Sequence, residues 1–334
     1  MTRFLISGLG SIGRRHLRNL VALGEMDVVL HRSGLSTLPG DELDGFDVEA
    51  DLAVALDRWR PDAVLVTNPT AHHLEVAIPA AQAGCHLFIE KPVSHSLDGI
   101  EALHQALTQS GGRSLVGYHF RFSPGLQEVK RLIGDRAVGR PIFARAYWGE
   151  YLPDWHPWED YRASYSARPD LGGGAVLTLS HPFDYLRWLL GDVGEVQGMI
   201  GNSGTLGIDV EENAAAVLTM EGEILATVQL DYLRRPPAHW LEITGTEGLI
   251  RWDGLEGTVR WWDGEWRLES PPQGFERNSM FLDEMRHFLA VVAGEADPVC
   301  SLGDGVRALE IALAVHRSAD TGRRVSMPSE AVRV

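Results

Sequence analysis

The chain is short of cysteine, short of basic charge and without any long apolar run. Its two cysteines, Cys85 and Cys300, stand far apart with no metal-like spacing. That excludes a disulfide framework and implies a reducing compartment. Lys and Arg total 30 against 46 Asp and Glu, a net charge of −16. That balance disfavours nucleic acid and anionic membrane as partners, since both select basic surfaces. An anionic small ligand is not excluded, because a local arginine cluster overrides the global sign. No apolar run reaches the roughly 20 residues that a membrane helix requires. The opening "MTRFLISGLG" enters strand and turn at once and does not read as a secretory leader. Repeats, low-complexity tracts and linker-like segments are lacking too. The expectation is a cytoplasmic protein without metal, membrane or nucleic-acid partner.

What is present points to two closely packed domains, since 334 residues exceed one typical core. In the first third, short runs rich in Val, Leu and Ile read as strands at residues 3–7, 27–31, 63–68, 86–90 and 114–119. Helical patterns such as 13–23 and 97–109 lie between them. Apolar runs without alternation indicate burial on both faces, hence a parallel sheet with crossover helices. From about Arg121 the pattern changes. A helix at 126–133, a strand at 142–150, an aromatic loop, one strong helix, several long strands and two closing helices follow. The fold class predicted is α/β: a Rossmann-type parallel sheet over 1–120, then an α+β domain with a mostly antiparallel open sheet over 121–334.

"GLGSIG" sets Gly8, Gly10 and Gly13, with Ser11 and Ile12 between them, directly after the first strand and at the start of a helix. One glycine suits a tight turn, one the approach of a pyrophosphate, and one close helix–strand packing. The second strand ends His31, Arg32, Ser33. A carboxylate there would suit the ribose of NAD, whereas a guanidinium suits a 2′-phosphate. NADP is therefore expected, with NAD as the alternative.

"HLFIEKP" raises a sharper question, because a buried strand ends in Glu90, Lys91 and Pro92. Ligands bind beyond the carboxyl ends of such strands. Lysine there can assist deprotonation of a substrate hydroxyl while hydride leaves the same carbon. Glu90 would orient the ammonium, and Pro92 would fix the backbone. Taken alone, the triplet also fits a strand that surfaces and turns. Further on, "GGGAVLTLSHPFDYLRWLLG" repeats Thr178, His181 and Asp184 every third residue, on one face of one helix. His181 is the natural proton acceptor near neutral pH; a histidine satisfied within the core is the plainer alternative. Residues 147–168 gather seven aromatics, among them Trp155 and Trp158, with Arg162 and Arg168. Such a loop suits sugar faces and hydroxyl or anionic groups, or a subunit interface.

The order of these motifs resembles the Gfo/Idh/MocA oxidoreductases over essentially the whole chain. "GLGSIGRRH" looks like the family's phosphate loop. "DAVLVTNPTAHHLEVA" matches its fourth-strand motif at Asn68, Pro69 and His73. "EKP" is its signature tripeptide, "VGYHFRFSP" its crossing motif, "GGGAVLTLSHPFD" its histidine helix and "LEITGTEG" a late-strand motif. The resemblance implies Lys91 and His181 as catalytic residues, and Asn68, Pro69, His73, Glu90 and Lys91 itself as cofactor contacts. It also implies substrate contacts from His119, Arg121, Thr178 and Asp184, and a homodimer or homotetramer through the C-terminal sheet. His119 stands where asparagine is more usual, and Thr178 near where many relatives carry aspartate. The wording of residues 151–168 is similar to a subgroup associated with surface-polysaccharide sugars. The activity implied is hydride transfer between nicotinamide and a carbohydrate, sugar-derivative or cyclitol hydroxyl carbon. An NAD-dependent glycoside hydrolase and a dinucleotide-sensing regulator are the rival readings of the same fold.

Overall fold

The computed structural model describes residues 2–32 and 41–328. The chain divides into two compact units. The first holds the residues up to Tyr118 together with Asn278–Val306; the second holds His119–Arg277 and the described residues from Arg307 onward.

The first unit runs β1 (Phe4–Ser7), α1 (Ser11–Ala22), β2 (Val28–His31), β3 (Asp47–Glu49), α2 (Leu52–Trp59), β4 (Ala63–Val66), α3 (His73–Gln82), β5 (His86–Ile89), α4 (Ile100–Ser110) and β6 (Ser114–Val116). Its six strands lie in the order β3-β2-β1-β4-β5-β6, all parallel. The central strands carry no alternation because both faces are covered. Phe4, Leu5, Ile6 and every residue from Ala63 to Val66 have no exposed surface. Each large side chain so buried contributes roughly 1.5–3 kcal/mol. β3 and α2 escape the sequence pattern: β3 is short and largely exposed, and α2 buries only Ala55. Asp51 still caps α2, its carboxylate accepting from the Val54 N–H at 3.0 Å.

The second unit runs α5 (Pro124–Gly134), β7 (Pro141–Tyr151), α6 (Ala175–Thr178), α7 (His181–Leu190), β8 (Val193–Gly201), β9 (Asn213–Met220), β10 (Leu225–Asp231), β11 (Leu233–Gly245), β12 (Leu249–Asp253), β13 (Val259–Trp262) and β14 (Trp266–Glu269). Two long helices, α8 (Arg277–Ala293) and α9 (Leu302–Thr321), precede a short β15 (Val325–Ser326). The nine-stranded sheet has the order β14-β13-β12-β11-β7-β10-β9-β8-β15. Only β7 and β10 pair in parallel; the rest is antiparallel. Its strands alternate, as a sheet with one open face must. In β9, Ala214, Ala216, Leu218 and Met220 are buried, whereas Ala215 and Val217 are exposed.

Two expectations change. The sequence predicts one helix through Thr178, His181 and Asp184; the chain instead breaks at Leu179–Ser180 into α6 and α7. Pro182 sits in the first turn of α7, where a missing N–H costs nothing. The sequence also predicts everything beyond residue 120 in the second domain. The segment Asn278–Val306 belongs to the first unit, where Phe288 of α8 meets Phe88 of β5 with ring centroids 5.5 Å apart. A helix far along the sequence carries no local mark of the unit that will bury it.

Candidate functional site

In the first unit the loop between β1 and α1 assigns different roles to its glycines. Gly8 has φ +96°, and a Cβ there would stand 2.4 Å from the Asn68 backbone nitrogen. A Cβ on Gly13 would stand 2.0 Å from the Gly8 carbonyl oxygen. Both are required by the protein's own packing. At Gly10 a Cβ would meet no atom of the described residues within 4 Å, and φ of −71° suits any residue. The backbone at Gly10 is thus open to close approach from outside the loop. No side chain caps α1 and no acidic residue lies in its first turn. Its orphan N–H groups and the helix dipole are thus left to an anion, and Ser11 and Ile12 stand in that turn. A dinucleotide's diphosphate fits this cradle. Thr67, absent from the sequence-predicted set, braces it: its hydroxyl donates to the carbonyls of Ser7 (3.0 Å) and Gly8 (2.6 Å).

At the end of β2, the Ser7 hydroxyl lies 2.8 Å from His31 Nδ1. Burial lowers the pKa of His31 below its usual value. Arg32 follows, half-buried, its N–H donating to the Glu49 carbonyl at 3.1 Å. Ser33 lies outside the described residues.

The strand ends of β4 and β5 are tied together by His73, which is fully buried. Its Nδ1 lies 2.9 Å from the Pro92 carbonyl and its Nε2 2.9 Å from the Asn68 carbonyl. Burial pushes its pKa down against the pull of those carbonyls and of Glu90. Its place is structural, holding two loops in register. Asn68 Nδ2 donates to the His72 carbonyl at 2.8 Å, turning the chain after Pro69. Glu90, expected to orient the Lys91 ammonium, also serves two further groups, and the Lys91 charge acts on it. Its Oε1 lies 2.7 Å from His16 Nε2, and its Oε2 accepts the Lys91 backbone N–H at 3.1 Å. Burial raises the Glu90 pKa, but the His16 hydrogen bond and charge and the Lys91 contacts outweigh it. The group stays below the usual carboxylate range. The Lys91–Pro92 peptide is cis.

In the second unit His181 opens α7 and is 1% exposed. His119 meets it edge-on at 4.5 Å between centroids, Phe120 at 4.8 Å, and Trp148 lies tilted at 5.3 Å. Beyond them His239 stacks on Trp148 at 4.5 Å and meets Phe120 at 4.8 Å. Burial, helped by the Arg277 charge, takes the His239 pKa down to about 3, so this third imidazole is neutral. His239 could have been suspected from a lone histidine inside "HWLEITG", though that stretch offers no sign of its neighbours.

Arg121 and Asp184, predicted as substrate contacts, bind each other. Arg121 Nη2 donates to Asp184 Oδ1 at 2.7 Å and its Nε to Oδ2 at 3.1 Å, with side chains 3% and 1% exposed. Each neutralises the other's buried charge, so the pair supports α7. Thr178 faces the buried Tyr232 hydroxyl, which donates to the Ser166 carbonyl at 3.3 Å. The segment after β7 is a run of short helical turns. Trp155 meets Tyr232 edge-on at 5.6 Å, whereas Trp158 is 65% exposed beside His156. Arg162 stacks over Tyr161 and reaches Asp160 at 3.9 Å; Arg168 pairs with Asp170. Among the described residues no group of three or more His, Cys, Asp or Glu is placed to hold a metal ion, and no helix is long and apolar enough to cross a membrane.

Comparison with known proteins matches residues 2–118 to the "Oxidoreductase family, NAD-binding Rossmann fold" and residues 126–251 to the "GFO/IDH/MocA C-terminal domain". The chain is 25% identical to scyllo-inositol 2-dehydrogenase (NAD(+)) of Bacillus subtilis, over 97% of this chain and 96% of that one. It is 26% identical to myo-inositol 2-dehydrogenase of Thermotoga maritima, over 97% and 98%. Among solved structures, levoglucosan dehydrogenase in complex with NADH superposes with a TM-score of 0.88 at 20% identity, covering 98% of this chain and 99% of that one.

Proposed function

The chain belongs to the Gfo/Idh/MocA oxidoreductases, and from that premise we propose an NADP-preferring dehydrogenase acting on a carbohydrate, sugar-derivative or cyclitol hydroxyl carbon. One observation carries the cofactor half: the open space at Gly10, at a helix N-terminus that no described side chain caps. The substrate class rests on the relatives, which are named for inositols and anhydrosugars. The nicotinamide ring, when bound, gives or takes the hydride.

Gly8, Gly10, Ser11, Ile12 and Gly13 receive the diphosphate, and Arg32 with Ser33 reads the 2′-phosphate. Asn68, Pro69, His73 and Glu90 shape the strand ends. Lys91 polarises the substrate hydroxyl, and His181 accepts or returns its proton. His119, Trp155, Trp158, Arg162 and Arg168 contact the sugar, while Arg121, Asp184 and Thr178 hold the elements behind His181. The first unit is thus the nucleotide domain, and the second the substrate and oligomerisation domain. The strand register sets Met199, Val217, Leu225, Trp262, Trp266 and Leu268 on one exposed face of the large sheet. Arg145 and Arg251 flank Glu242 on that same face. This face is proposed to join two copies into a homodimer, or four into a tetramer. The two free thiols fit a cytoplasmic setting.

The test combines NADP+ or NAD+ with scyllo-inositol, myo-inositol and levoglucosan while following nicotinamide absorbance. Reduction by one of them is expected, and Gly10→Val should fold normally yet lose cofactor binding. Glycoside cleavage with no net cofactor turnover would instead mark a hydrolase. Cofactor binding unaffected by Gly10→Val would remove the cradle.

A further inference from the structure

We propose that His16 is a positioning residue for Lys91, acting through Glu90, so that the helix beginning at the cofactor cradle also sets the lysine's backbone. The proposal rests on the role given to Lys91 above.

His16 lies on α1, little more than a turn after Ser11. Its side chain has no exposed surface. The chain of contacts is short: His16 Nε2 to Glu90 Oε1 at 2.7 Å, then Glu90 Oε2 from the Lys91 N–H at 3.1 Å. Phe88 and Phe281 close on the ring edge-on, at 4.7 and 6.3 Å, so it is held in one place. Packing alone does not call for this arrangement. Burying an imidazole and a carboxylate costs several kcal/mol before their attraction returns any of it, and two apolar side chains would fill the same space. What an apolar pair lacks is a second carboxylate oxygen to take the N–H of the next residue. On the far side of the lysine, His73 holds the Pro92 carbonyl. Lys91 is therefore gripped at both neighbours, and the grip at Glu90 leads back to α1. Among the described residues His16 Nδ1 has no hydrogen-bond partner, so the ring can present either tautomer to position 90.

That freedom shapes the test. In Glu90→Gln the amide carbonyl still accepts the Lys91 N–H, and the amide N–H₂ donates to His16 once its proton moves to Nδ1. Glu90→Ala removes both contacts. The chain contains only two lysines, Lys91 and Lys130. Protein grown on [ε-13C]lysine therefore gives two lysine methylene resonances, and Lys130→Arg assigns them. In His16→Ala and Glu90→Ala, the Lys91 resonance should move toward its random-coil position while that of Lys130 stays. Glu90→Gln and His16→Gln, whose Nε2 can replace the imidazole's, should keep the Lys91 resonance near the wild-type position. Hydride transfer with whichever panel compound is turned over should fall roughly ten- to a hundredfold in the alanine variants, the scale of a misplaced catalytic group. In His16→Ala, KM and the NADP+ dissociation constant should change little, and the glutamine variants should recover most of the rate.

Lys91 resonances and hydride transfer at wild-type values in folded His16→Ala would overturn the proposal. If His16→Ala does not fold, Glu90→Ala carries the same expectations. Lys91→Met separates the two claims. Wild-type hydride transfer in Lys91→Met removes the lysine's role and this inference with it. Lost transfer there, beside intact His16→Ala and Glu90→Ala, removes this inference alone.

Discussion

Lys91 and His181 are the two groups proposed to handle a proton, and the described contacts that place them differ in kind. At Lys91 they include hydrogen bonds to backbone: Glu90 holds its N–H and His73 the next carbonyl. At His181 they include rings, from His119, Phe120 and Trp148. The difference follows from the two side chains. A lysine has four rotatable bonds and is aimed from its root, so the root must be exact in place. An imidazole is rigid beyond its second torsion and is aimed by what leans on it. Orientation by hydrogen bond depends on donors and acceptors; orientation by packing depends on shape.

The largest effect should come from removing either group. Lys91→Met and His181→Ala should each fold, bind cofactor and lose roughly two to four orders of magnitude in kcat. If both serve one proton, the double variant should cost much less than the sum, as single-turnover hydride transfer would show. Additive losses would assign them to separate steps.

Next comes the support of the ring-packed histidine. Arg121→Ala removes the guanidinium from the buried Asp184 carboxylate and should cost about 3–5 kcal/mol in chemical denaturation. Replacing the pair together, Arg121→Met with Asp184→Leu, should recover most of that. A full recovery of stability without recovery of kcat would show that the pair orients α7 as well as holding it.

A smaller effect is expected from Arg32. Arg32→Ala should remove most of an NADP-over-NAD preference of about 1.5–3 kcal/mol, the worth of a charge-assisted contact. Equal affinities for both cofactors in the wild type, measured by calorimetry, would remove the preference itself.

The smallest effect, per pH unit, concerns His239. Its folded pKa near 3 lies below the ordinary 6.5, so the unfolded chain binds the extra proton between those values. The stability this group contributes is complete above pH 6.5 and is lost as pH falls toward 3, at most about 1.4 kcal/mol per unit. His73, His31, His86 and His287 are shifted in the same direction. His239→Phe should therefore flatten acid unfolding in part, not abolish it. An unchanged acid midpoint would show His239 to be hydrated.

Contiguous features were legible in the sequence. The glycine loop, the buried parallel strands and the alternating late strands are each written within a few residues, because turn chemistry and burial pattern act locally. Pairs were not. His16 and Glu90 are 74 residues apart, and Arg121 and Asp184 are 63 apart. No local rule ties one member to the other, so the sequence shows neither the His16 contact of Glu90 nor the mutual pairing of Arg121 and Asp184. His16 did leave a trace: a polar ring on the same face of α1 as Gly13, Leu17 and Leu20 requires a buried partner. The helix expected over Thr178 to Asp184 failed for another reason. Threefold spacing marks one face only while the helix is continuous, and Leu179–Ser180 interrupts it.

The return of α8 to the first unit sets a schedule on the ribosome. Phe88 is made about 200 residues before Phe288, which at the usual pace of synthesis is a delay of about 10–40 s. Through that interval the sheet that forms first is open on the side α8 will cover, while the second unit's strands emerge beside it. The nascent chain thus presents an unfinished apolar surface to chaperones for far longer than the folding time of a small domain. A shorter chain ending near residue 120 would keep that surface open permanently.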